Sequence, residues 1–280
     1  MKRRMPMNRK ISLKKYLYKN KTTIVVYFVL RALVVFSMIR SFLRDDYESV
    51  FLGGLTLVLL IIPSFLSHKL KLEFPTTFEV FVLLFIFAAE ILGEINNFYI
   101  HVPHWDAMLH TINGFLCAAL GFALVDMMNR EERFTFQLSP KFLALVAFCF
   151  SMTVGILWEF FEYAGDSFFA LDMQKDTIVH TINTVKLDAS NTNTVIHVKD
   201  IEDAILVYSD GTQEALGLGG YMDIGIIDTM QDLLVNLIGA IVFSVIGYMY
   251  LKRKGKGRFA SKFIPQVSRN ENVENRLEEA

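Results

Sequence analysis

Six long apolar runs constrain this chain more than any other feature. They cover residues 22–39, 50–66, 78–98, 108–127, 142–161 and 224–251. A helix needs about 20 mostly apolar residues to cross the hydrocarbon core of a bilayer, and each run approaches that length. The second is the shortest, and Pro63 near its end predicts a tilt or kink there. Six such runs in 280 residues, 53% of them hydrophobic, are too many to bury in one soluble core. The first run does not fit a cleaved secretion signal, because Arg31 interrupts it and no clean small-residue cleavage site follows.

The expected fold is therefore an all-α integral membrane protein with six transmembrane helices. Residues 1–21 form a basic arm, 22–251 the membrane domain, and 252–280 a polar, partly disordered tail. The connection from 164 to 222 is long for a loop and is expected to hold structure of its own. Stretches 177–187, 194–198 and 204–208 are rich in β-branched residues, and Ser209-Asp210-Gly211 is a turn before 212–216. These features predict a small extracytoplasmic β-rich insertion with a hairpin, between helices five and six. Gly217, Gly219 and Gly220 make a flexible return; no strand-to-helix context surrounds them, so they are not a nucleotide loop.

Charge sets the expected orientation. Of the 28 Lys and Arg, nine lie in residues 1–21 and eight in 252–280. Lys69, Lys71, Arg130, Arg133 and Lys141 fall in loops on the same face as the termini. Arg40, Arg44, Lys175, Lys186 and Lys199 fall on the other face. The positive-inside rule then places both termini in the cytoplasm. The basic arm suits anionic headgroups, so membrane lipids are the expected partners. A net charge of −1 gives no reason to expect a nucleic-acid partner. Cys117 and Cys149 lie in apolar runs and read as small buried hydrophobes, without a CxxC motif.

The ionisable residues in the runs are concentrated at one end. Span three carries Glu90 and Glu94 near its outer end, and span four begins with Asp106 and His110. Span five ends with Trp158, Glu159, Glu162 and Asp166; span six begins with Asp228, Asp232 and Asn236. Spacings of three, four, seven and eight put each set on one helix face. Gly114, Gly155 and Gly239 lie deeper on roughly the same faces, where they permit close helix approach. The expectation is an acidic pocket with one histidine at the outer end of a four-helix core.

Such a pocket suits a divalent metal or a lipid headgroup. A metal would offset the repulsion among the acids and polarise a phosphate or activate water. Without metal, His110 oriented by Asp106 is a candidate general base. Glu94, Glu159, Glu162, Asp228, Asp232 and Asn236 are candidate substrate or metal residues, and Arg31 is a buried counter-charge to Glu90 or another acid. The same groups are open to other readings: polar ties between helices, an ion-coupled transport path, or a non-catalytic scaffold whose insertion binds a partner. Apolar inner halves in spans four to six count against transport. His101, His104, His180 and His197 read as surface residues, and Tyr99, Trp105 and Trp158 as an interfacial aromatic belt.

Three motifs carry a resemblance: Trp105-Asp106-x-x-Leu109-His110, Trp158-Glu159-x-x-Glu162, and Asp228-x-x-x-Asp232-Leu233-x-x-Asn236-x-x-Gly239. Together they resemble the YjdF-like family of bacterial inner-membrane proteins, over roughly residues 75–250. The resemblance implies a multi-pass protein of a bacterial cytoplasmic membrane and assigns no activity. A more distant likeness is to VanZ-like proteins, matched by Asp106 and His110, by Glu159 or Glu162, and by Asp232, Asn236 and Gly239. That likeness implies a cell-envelope role; the long insertion and the lack of a Gln after the glutamate depart from it. Signatures of lipid phosphatases, prenyl-protein proteases, rhomboid proteases and Walker-type pumps are absent from the sequence.

Overall fold

The structure is a computed structural model, and it describes residues 21–70, 72–130, 138–253 and 255–267. Most of the basic arm, the Glu131-Glu132-Arg133 loop and residues 268–280 lie outside the described residues.

Helix α1 (Lys21–Phe42) shows why these runs fold as they do. Its buried side chains are the small or polar ones, Thr23, Ser37 and Ser41, together with Leu30 and Val34. Phe28 and Phe36 are each 66% exposed. A water-soluble helix would reverse that pattern. Apolar side chains outward and small polar ones inward is the arrangement lipid permits, because packing rather than the hydrophobic effect joins helices there.

The second apolar run folds as α2 (Tyr47–Leu59) and α3 (Ile62–Leu70), broken at Leu60 and Ile61. Pro63 falls in the first turn of α3, where its missing N–H costs no hydrogen bond. Asp46 caps α2 by accepting from the Ser49 N–H at 3.1 Å. The third run starts after Pro75 as α4 (Thr76–Phe87) and continues without a break into a π-helical stretch, Ala88–Ile95. A short α5 (Phe98–His101) precedes α6 (Trp105–Arg130). Then come α7 (Pro140–Phe169) and α8 (Ile226–Lys252).

Among the described residues, five helical segments are long and apolar enough to cross a membrane: Lys21–Phe42, Tyr47–Ser67, Trp105–Asn129, Pro140–Phe169 and Ile226–Lys252. The third run is not among them, because the π-helical stretch interrupts its α-helix. α7 also runs to Phe169, five residues past the expected start of the insertion.

The chain divides into two compact units, residues 1–154 with 235–280, and residues 155–234. In the larger unit, Phe78, Phe122, Leu143, Ala147 and Phe243 centre one apolar cluster. Leu30, Val34, Leu60, Leu83 and Ile91 centre another. Arg40 at the end of α1 donates to the Asn96 amide oxygen at 2.8 Å, tying α1 to the end of the π-helical stretch.

The C-terminal segment departs from expectation. Instead of leaving as a polar tail after α8, the chain turns at Gly255 (φ +77°) and folds back. A single 3-10 turn, Ala260–Lys262, delivers Phe263 and Ile264 into the first cluster. The Phe263 ring meets Phe81 and Phe115 edge-on, with centroids 5.4 and 5.2 Å apart. Strand β8 (Gln266–Val267) then pairs antiparallel with β1 (Leu72–Glu73). Phe259-Ala-Ser-Lys-Phe-Ile was too short an apolar interval to read against its basic neighbours.

The smaller unit holds three antiparallel strand pairs. β2 (Ile178–Val179) pairs with β7 (Tyr221–Met222), β3 (Ile182–Thr184) with β4 (Ile196–Val198), and β5 (Ile205–Val207) with β6 (Gln213–Ala215). The expected hairpin forms around Asp210 and Gly211 (φ +85°), whose positive φ a glycine adopts without strain. The expected stretch 177–187 is not one strand. It divides at His180 and Thr181 because its halves pair with different partners.

Candidate functional site

Asp45, Asn97 and His104 each have a positive φ and bend the chain at the same end of the helices. From His104 the chain enters α6, which places Asp106 in the first turn. A carboxylate there is favoured by the exposed N–H groups and the positive end of the helix dipole. His110 follows one turn later and is 6% exposed. Its Nε2 lies 3.6 Å from Asp106 Oδ1. That is too long for a hydrogen bond. It is close to the separation of two donors sharing one ion, roughly 3.0–3.5 Å for bonds of about 2.1 Å at tetrahedral angles. The Trp105 indole packs edge-on against Phe98, centroids 4.9 Å apart. Its Nε1–H is shielded from solvent and has no acceptor among the described residues.

One turn deeper, α6 meets α8. A Cβ on Gly114 would collide with the Asn236 carbonyl oxygen, and one on Gly239 with the Thr111 carbonyl oxygen. Only glycine allows this backbone contact. Asn236 is fully buried. It accepts from Asn113 Nδ2 at 3.4 Å and directs its own Nδ2 to Met152 Sδ at 3.6 Å. Ser151 on α7 donates to the Gly114 carbonyl at 2.7 Å. Asn236 thus ties three helices together. Asn113 and Ser151, which the sequence reading passed over, share the task; the signal for Asn113 was its position three residues after His110 in an apolar run.

The other residues of this unit are placed differently from expectation. Arg31 donates to the Leu57 carbonyl at 2.9 Å and lies 4.8 Å from the Tyr27 ring centroid, so its role is to join α1 to α2. No ion pair between Arg31 and Glu90 occurs among the described residues. Glu90 is half-buried and Glu94 exposed, because the π-helical turn rotates them relative to an α-helix. Cys149 is exposed rather than buried, and both cysteines are free.

In the smaller unit, Glu159 and Glu162 are buried near the end of α7, at 4% and 7% exposure. Glu162 accepts from the Trp158 indole N–H at 2.8 Å. Trp158 therefore orients a carboxylate. Asp166 accepts the N–H groups of Met173 and Gln174 at 2.6 and 2.8 Å, closing the chain after α7. Asp228 in the first turn of α8 accepts the Lys175 N–H at 2.8 Å, and Asp223 accepts from Thr177 and Ile227. Desolvation, with Asp172, Asp223 and Asp166 nearby, raises the Asp176 carboxyl above its ordinary range. Asp232, one turn after Asp228, is 2% exposed. His101, His104, His180 and His197 are all exposed.

Apolar helices of membrane-crossing length, with lipid-suited outer faces and ionisable groups gathered near helix ends, define a multi-pass helical membrane protein. The chain belongs to the family described as "Predicted membrane protein (DUF2238)", which matches residues 23–253. It is also similar to an uncharacterized protein of Thermotoga maritima, 25% identical over 135 residues, which are 48% of this chain and 65% of that relative's length. No solved structure matches.

Proposed function

We propose that this protein holds a divalent cation at the outer ends of its membrane helices, with Asp106 and His110 as ligands, and uses it to bind the phosphate of a lipid headgroup. The Asp106–His110 pair carries the reading. A buried imidazole sits 3.6 Å from a carboxylate in the first turns of a membrane helix, where ionisable groups are expensive and mark sites. One imidazole and one carboxylate suit manganese or zinc, with coordination left for a phosphate oxygen. The Trp105 N–H offers that phosphate a donor.

The wider setting belongs to the same reading. α4 and the π-helical stretch together form the sixth span, Thr76 to Ile95, and both termini face the cytoplasm of a bacterial cell. The likeness to VanZ-like proteins supports a cell-envelope role by analogy.

Calorimetric titration of the purified protein with Mn²⁺ and Zn²⁺, beside His110→Ala and Asp106→Asn, tests the site. One equivalent bound by wild type and lost in both variants is the expected result. No binding by wild type, or equal binding by all three, overturns it.

A further inference from the structure

At the opposite end of α7 and α8 is a groove that the metal site does not use. The first turns of α7, from Lys141 to Phe148, line it together with the last turns of α8, from Ile241 to Tyr248, so the two helices run antiparallel there. From residue 248 to 241 is seven residues of helix, about 10 Å. The groove has a volume of about 390 Å³. Its walls are apolar from Leu145 to Phe148, and its charge is confined to one mouth. Lys141 lies in the first turn of α7. Lys252, in the last turn of α8, sits 5.8 Å from the Tyr248 ring centroid and adds a second cation at that end.

Ser244 belongs to the groove lining and is 8% exposed. Serines in membrane helices commonly satisfy the hydroxyl by bonding to the carbonyl four residues back. Thr56, Thr111 and Thr153 all do so here. Ser244 does not: its hydroxyl is buried and has no partner among the described residues. A polar atom left over in an apolar groove points to an occupant with its own polar atoms.

We infer that this groove binds one anionic phospholipid, with its phosphate at Lys141 and Lys252, an acyl chain between α7 and α8, and its glycerol ester region within reach of Ser244. The occupant follows from the charge arrangement. A wholly apolar ligand would leave both lysines and Ser244 without a role, and a soluble anion would leave the apolar walls uncovered. A phospholipid matches both halves, and cationic mouths on grooves between membrane helices suit anionic headgroups.

The test is native mass spectrometry of the full chain released from detergent, titrated with phosphatidylglycerol or with phosphatidylcholine of identical acyl chains. Wild type is expected to retain one phosphatidylglycerol in preference to phosphatidylcholine. Lys141→Gln should weaken phosphatidylglycerol about fivefold, the effect of one juxtamembrane charge, and leave phosphatidylcholine unchanged. Ala144→Phe, which fills the groove, should remove both. With divalent metal removed by chelator, His110→Ala should leave retention as in wild type, which separates this site from the proposed metal site. Equal retention of the two lipids by wild type overturns the inference. So does phosphatidylglycerol binding that survives both Lys141→Gln and Ala144→Phe, provided each variant keeps the wild-type melting temperature.

Discussion

The Asn113 amide on α6 donates to the Asn236 amide oxygen on α8 across 3.4 Å, directly beside the contact of Gly114 with the Asn236 backbone. The polar contact and the close approach depend on each other. Only the missing side chain at Gly114 brings the helices near enough for two short amides to meet. Gly114→Ala forces Cβ against a carbonyl oxygen that cannot move without its helix, and overpacking of this kind costs about 1–3 kcal/mol. Thermal unfolding in detergent should show a clear drop in Tm, whereas Gly54→Ala, where a Cβ meets nothing within 4 Å, should leave Tm unchanged. Equal Tm values for both variants would remove the crossing from the account of stability.

Asn236→Leu separates a structural tie from a ligand. Asn236 is fully buried and bonded to protein groups, so its loss leaves Asn113 without that partner and costs about 1–3 kcal/mol. Metal binding by the folded fraction should persist, because Asn236 is not in the proposed donor set. If Asn236→Leu abolishes binding while retaining wild-type Tm, Asn236 is a ligand and the set has to be redrawn.

Much of this was legible in the sequence, and the divisions have physical causes. Apolar runs of membrane length determine the helices whatever their neighbours, which is why α1, α6 and α8 follow the expected segments closely. The third run lost its regularity through i→i+5 bonding around Glu90 and Gly93, which periodicity does not report. Asp106 and His110 were legible as a pair because they stand four residues apart on one helix. Arg31 was not: a carbonyl freed by the helix break at Leu60 and Ile61 is an acceptor that no residue type announces. Asp166 and Asp228 carry the letters of ligands, and both accept backbone N–H groups of residues 173–175, a use that depends on loop shape.

Asp166→Ala therefore has a specific consequence. It removes two charge-assisted bonds to the Met173 and Gln174 N–H groups, about 2 kcal/mol of local stability. Hydrogen exchange at those amides should accelerate at least tenfold. Metal titration should be unchanged, since the carboxylate is committed to the chain. Unaltered exchange with lost metal binding would reverse the assignment.

The Asp188 loop predicts a pH dependence. Bonds from the Ser190 side chain and from the Thr194, Ser190 and Thr192 N–H groups hold the Asp188 carboxyl at about 2, below its ordinary 3.8. A carboxyl with a lowered folded-state value adds stability above its unfolded value. That stability fades as pH falls through the interval from 3.8 to about 2. Amide protection at Thr192 and Thr194 should fall across that interval in wild type. In Asp188→Asn, protection should be lower at neutral pH and flat across the same interval.

Phe263 gives the clearest test of the returning C-terminal segment. Its ring is buried against Phe81, Phe115 and Phe259, and the strand pairing of β8 with β1 begins three residues later. Truncating a buried phenylalanine to alanine costs about 3–5 kcal/mol when the surroundings cannot close the gap. The anchored residues are few, so that loss should release the segment rather than unfold the helices. Phe263→Ala should therefore open the chain near Arg258 and Lys262 to limited trypsin digestion, while the helical circular dichroism signal of the membrane domain is retained. Resistance equal to wild type would show that the strand pair alone holds the segment. Global loss of helix would show that Phe263 belongs to the core on which α4, α6 and α8 depend.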